Sequence, residues 1–200
     1  MSLAFLFPFF CALVLLALVA RRIVYPVRHH DIDHVIFLIR KLEVSDLEVL
    51  LDVGAEWTLR RSLSPEAYRG AQEDRIRLIR EYLRRVAHNV EMIQLWVAGE
   101  YELIKDKDRD TYTEKDSLVA EALQVALELR VYTLGARTKV WFWTVLRMDL
   151  WPRLLVPRLS DLRVQCGVNV LAKYRRLTEV AGILSLGYGN SYHERFLDAL

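Results

Sequence analysis

Ile76, Ile79, Leu83, Val86, Val90, Ile93 and Val97 follow one another in alternating steps of three and four residues. That is the spacing of a helix that lays one narrow apolar seam against a partner. Tyr82 and Trp96 each stand one position before a seam residue and widen the seam into a face suited to a globular bundle. Ser64 followed by Pro65 is a start signal: a capping hydroxyl, then a proline whose missing N–H costs nothing. The pattern predicts one helix from Pro65 to Ile104, about 60 Å long at 1.5 Å per residue. The rest of the chain reads as elements that cover this face or hold it near a membrane.

A second seam follows. Leu118, Ala122, Val125, Leu129, Tyr132 and Ala136 repeat the alternation, and Trp143, Leu146 and Leu150 continue it. Two long seams joined by the polar stretch Lys105 to Asp116 predict an antiparallel helix hairpin over 65–150. Asp106, Asp108 and Asp110 match the first three ligand positions of a helix-flanking calcium loop. The match fails beyond them: Thr111 stands where glycine is needed and Ser117 where a bidentate Glu should close the site. A solvated hairpin tip is the better reading. Thr113 with Asp116 has the spacing to cap the second helix.

Trp141, Phe142, Trp143 and Trp151 cluster at the far end of the hairpin, and Trp151-Pro152 stops the helix. Tryptophan suits a core, an interface with another protein, or the headgroup level of a membrane. The hairpin's reversal suggests that this end lies on the side leading back to the N-terminus. The packing helices are predicted over 158–200. Ser160 caps a helix to about Leu186, whose apolar residues (Leu162, Cys166, Val170, Leu171, Leu177, Val180, Ala181 and Leu184) spread over a wide arc, as in a helix inserted among others. Gly187, Gly189 and Asn190 end it, and Ser191 with Glu194 has the spacing to cap a last short helix.

The N-terminus sets the address. Leu3 to Ala20 is eighteen residues without a charge, extended by Ile23 and Val24 past Arg21 and Arg22. About 20 apolar residues cross a bilayer, so residues 1–24 read as a single transmembrane anchor. No Lys or Arg precedes the run, which argues against a cleaved signal peptide. Arg21, Arg22, Arg28, Arg40 and Lys41 follow it, so the positive-inside rule places residues 25–200 in the cytoplasm. Cys11 and Cys166 are expected to remain unpaired there.

Residues 25–64 read as a juxtamembrane linker and short helices. Asp33 to Leu42 carries Ile32, Val35, Ile36, Ile39 and Leu42 on its apolar side, with Asp31 near its N-terminus. Ser45 and Glu48 have capping-box spacing and open a helix running toward Trp57, with Arg60 to Ser64 as a connection. His30 and His34 stand one turn apart, but no further ligand lies nearby to complete a metal site.

Composition excludes more than it selects. The chain has 28 basic and 26 acidic side chains; setting aside Arg21 and Arg22 leaves 26 of each, a balance with no bulk attraction for nucleic acid. Arg69, Arg75, Arg77, Arg80, Arg84 and Arg85 are interleaved with Glu73, Asp74 and Glu81, as on an ordinary solvated helix face. No paired Glu-x-x-His, nucleophile elbow or phosphate-binding glycine loop occurs. His88 lies away from the seam and reads as an outward residue. The sequence thus points to an all-α fold: a transmembrane helix, then a helical bundle built on the hairpin. The function expected is a non-enzymatic interaction or scaffold module without a cofactor, touching membrane lipid and a protein partner. The alternative is a small-molecule or lipid binder with a pocket between helices, lined by Tyr and Trp.

Overall fold

The computed structural model describes residues 31–105, 114–149 and 169–200, and every regular element among them is a helix. They are α1 Ile32–Leu38, α2 Val44–Leu50, α3 Val53–Ser62, α4 Pro65–Lys105, α5 Glu114–Asp149, α6 Ala172–Leu186 and α7 Asn190–Ala199. The anchor read over residues 1–24 lies outside the described residues; among the described ones, no helix is long and apolar enough to cross a membrane.

The seam organises the bundle as its spacing predicts. Ile79, Leu83, Val86, Val90, Ile93 and Val97 are completely buried and Ile76 nearly so. α5 lies antiparallel to α4, with Lys115 on Glu100 (2.6 Å), Arg130 on Gln94 (2.7 Å) and Arg80 on Thr144 marking successive levels. α6 runs back along α5, fastened by Lys173 to Glu128 and Arg176 to Glu121. α7 packs on α6 and beside α1, where Arg195 meets Asp33 at 3.1 Å.

The three short helices run the length of α4 in the opposite direction, and polar side chains of α4 hold them. His88 Nε2 sits 3.0 Å from the Leu38 carbonyl at the end of α1. Asn89, fully buried, accepts from Arg40 N at 2.9 Å and donates to Arg40 O at 2.8 Å and to the Tyr174 hydroxyl at 2.9 Å. Tyr82 donates to Asp46 at 2.6 Å, and Arg75 donates to the Leu50 carbonyl at 2.7 Å. The last carbonyls of a helix have no partner within it, so α4 supplies caps to α1 and α2. Arg75 and His88 are therefore not on the solvated face where the sequence suggested. Arg75 is only 8% exposed.

Other local expectations shift for identifiable reasons. The single helix expected through Leu47 toward Trp57 is broken by Asp52, whose carboxylate caps α3 through the N–H groups of Gly54 and Ala55. Neither described capping box forms. Burial of Leu42 and its bond to the Leu200 carbonyl (2.8 Å) bring the chain into α2 at Val44, so Ser45 is already helical. At α7, Gly189 turns with φ +110° and its carbonyl receives Tyr192 N and His193 N, leaving Ser191 inside the helix. In the second seam Tyr132 is exposed and Thr133 is buried. Ala122, Ala126, Thr133 and Ala136 stand on the buried inner side of α5 together with Val119, Leu129 and Val140. The Ser64 cap stands as read, its Oγ accepting from Ala67 N.

One placement changes the membrane reading. Because α1–α3 retrace α4, the chain enters at the end where α4 finishes and α7 begins, as the Asp33 contacts to Arg195 and Tyr192 place it. Trp141 stands near the Arg80–Thr144 level, toward the opposite end. The tryptophan end is therefore not the one that leads back to the N-terminus.

Candidate functional site

α5 carries apolar side chains on both sides. Its inner side is the buried seam. On the side turned away from α4, Leu127, Val131, Leu134 and Trp141 are 38%, 57%, 44% and 56% exposed. At 100° per residue these four fall within about 80° of arc, and their steps of four, three and seven keep them in one line. A helix that is apolar around most of its circumference is normally covered on more than one side. This stripe is an apolar surface with the spacing to receive another helix.

Of the residues singled out from sequence, Trp141 belongs to it. The side chains of Phe142 and Trp143 and the whole of Trp151 lie outside the described residues, as do Arg21, Arg22 and Arg28 and the triplet Asp106, Asp108 and Asp110. Sequence reading missed Leu127, Val131 and Leu134. Their four–three spacing is present, but it runs parallel to the stronger, inward seam.

A second constellation closes the bundle end near the start of α1. Glu100, 5% exposed, receives the Tyr188 hydroxyl on one carboxylate oxygen and Lys115 Nζ on the other at 2.6 Å. Lys115 also lies 5.9 Å over the Tyr188 ring. Trp96 packs against Tyr188 and Phe196, with ring centroids 6.2 and 5.8 Å apart, and its indole N–H faces the Tyr188 hydroxyl. With both oxygens engaged, Glu100 is a fastening between α4, α5 and the α6–α7 turn rather than a free base. Nothing in the sequence brings these five residues together; they come from three helices and a turn.

Ser185 and His193 offer the nearest approach to a nucleophile and base. Ser185 Oγ lies 3.1 Å from His193 Nδ1, but both groups converge on the Gly182 carbonyl, at 2.6 and 2.9 Å. The Ser185 proton is then directed to the backbone, whereas nucleophile activation needs the hydroxyl to donate to the ring nitrogen. The pair ties α7 to α6. Among the described residues, no group of three His, Cys, Asp or Glu side chains is placed to hold a metal; His30 lies outside them.

Two tyrosines give the bundle an alkaline limit. Burial, and then the hydrogen bond to Glu100, pushes the Tyr188 hydroxyl up to about 12. Burial, then Asp46, pushes Tyr82 to about 12 as well. A phenol whose folded value exceeds its unfolded value of 10.0 stabilises the fold below that value, and the contribution is lost as pH rises toward 12. Melting temperature is thus expected to fall between pH 10 and pH 12. Tyr82→Phe and Tyr188→Phe should each flatten that decline, as a pH series of thermal melts will record.

Compared with protein-family models, curated proteins and solved structures, the chain matches none.

Proposed function

We propose that this chain is a membrane-anchored, non-enzymatic interaction module that docks an amphipathic helix of a protein partner on the outer stripe of α5. The observation that carries the reading is the line of Leu127, Val131, Leu134 and Trp141. Its spacing is that of the seam with which α4 and α5 already grip each other, and an amphipathic helix recognises such a surface through residues spaced by three and four. The anchor is the apolar run of residues 1–24, with Arg21, Arg22 and Arg28 on its cytoplasmic flank and residues 25–200 on that side.

The second reading, a lipid or small-molecule binder, would place its ligand beside the ring cluster of Trp96, Tyr188 and Phe196.

Co-purification of the full chain in mild detergent separates the two. Val131→Glu combined with Leu134→Glu places carboxylates on an exposed face, so it should leave the thermal melt within about 1 kcal/mol of the native protein. The docking proposal predicts that a specific partner is lost from this variant at least about tenfold, equivalent to about 1.4 kcal/mol of binding. Undiminished recovery of every partner rejects the stripe. Loss of a bound small molecule on Trp96→Phe would favour the alternative.

A further inference from the structure

We infer that the bundle stands on the bilayer with its α4–α5 tip end facing the lipid, and that Tyr101, Leu103, Leu186 and Tyr188 meet the headgroup region. The inference rests on the anchor reading above and adds an orientation to it. Asp31 is the N-cap of α1, and Asp33, two residues on, is held to α7 by Arg195 and Tyr192. From there the chain descends α4 through the His88, Asn89, Tyr82 and Arg75 contacts, away from the tip. Asp31 is therefore fixed at the end where α4 finishes at Lys105, α5 starts at Glu114 and Tyr188 caps the cluster.

The tether decides which end can reach lipid. Only Tyr25 to Asp31 separates the apolar run from α1, and seven residues extend to about 25 Å at most. Pro65, at the other end of α4, lies 35 residues of helix below Glu100, about 50 Å away at 1.5 Å per residue. An upright bundle can touch the membrane only with the tip end.

That end is dressed for the contact. Tyr101, Leu103, Leu186 and Tyr188 are 45%, 64%, 46% and 37% exposed, although all are large and apolar or aromatic. Leu103 follows Glu100 by three residues and continues the side of α4 that carries Trp96 and Glu100 toward the α6–α7 turn. Tyr101 suits the headgroup level, where a ring is sheltered and a hydroxyl wet, whereas Tyr188, whose hydroxyl is held on Glu100, offers only its ring.

The test uses the full chain in phosphatidylcholine–phosphatidylglycerol vesicles that carry a nitroxide high on the acyl chain. Cys11→Ser and Cys166→Ser clear the background, and a fluorophore is placed at Leu103→Cys, Leu186→Cys or, at the far end, Leu63→Cys. Each labelled chain must keep its native helical melt. Quenching at positions 103 and 186 is expected to exceed that at 63 severalfold. A chain that floats with the vesicles but is quenched equally at all three positions lies flat, and the orientation is overturned while the anchor stands. A chain that does not float overturns the anchor, and the orientation with it.

Discussion

Val90→Asp is expected to remove much of the thermal stability of the bundle. Val90 is fully buried at the middle of the α4 seam, between Val86 and Ile93, which are also fully buried. An aspartate there buries a carboxylate among apolar side chains. Such a group costs about 3–5 kcal/mol even after local rearrangement. Domains of this size are stable by only about 5–15 kcal/mol, so one such loss consumes much of the margin. His88→Ala, two residues earlier, is the control. Sequence alone would put its cost near zero, but the contact with the Leu38 carbonyl raises it to about 1 kcal/mol. Melts followed by circular dichroism compare the two, and equal effects would mean that the seam is not the core.

Asn89→Ala should follow closely, at about 2–4 kcal/mol. The side chain is fully buried and makes three hydrogen bonds, two of them to the backbone of residue 40. Removing it strands an N–H and a carbonyl just past the end of α1, and each unsatisfied buried group costs about 1–3 kcal/mol. Tyr174→Phe removes only one of the partners and should cost about 1 kcal/mol. In a double-mutant cycle the two changes should be less than additive, because they share the bond between Asn89 and the Tyr174 hydroxyl. An Asn89→Ala protein with native stability would mean that α4 does not fasten α1.

These two neighbours mark where the sequence is legible. Val90 announces itself, because a seam repeats and repetition averages over errors at single positions. The same holds for Leu83, Ile93, Leu129, Leu177 and Val180, all expected inside and all fully buried. Asn89 repeats nothing. Its role depends on where α1 ends, and that end is fixed by contacts between distant parts of the chain. Arg75 and His88 were misplaced for the same reason: periodicity sorts apolar from polar, but cannot separate a solvated polar side chain from one that caps another helix. Local cap signals fared unevenly. Ser64 acts as its spacing suggests, whereas Ser45 and Ser191 lose to turns set by Leu42 and Gly189.

The candidate site was half legible. The tryptophan cluster drew attention to the outer end of α5, and Trp141 is exposed there. The stripe itself became visible only when Ala122, Ala126, Thr133 and Ala136 proved to be the inner face. That assignment leaves the bulkier Leu127, Val131 and Leu134 pointing outward, the reverse of what residue size alone favours. The end of the bundle at which the chain enters was not legible, since it depends on α1–α3 retracing α4 rather than extending from its start.

The central claim, that the α5 stripe is a docking surface, is tested most directly by a photo-crosslinking side chain placed at Val131 in the full chain and activated in native membranes. The same group at Arg84, exposed on α4 and paired there with Glu81, serves as the comparison. Docking predicts one discrete adduct from position 131, none from position 84, and loss of the first when Leu134→Glu is added. Equal labelling from both positions, or an adduct at 131 that survives Leu134→Glu, would contradict it.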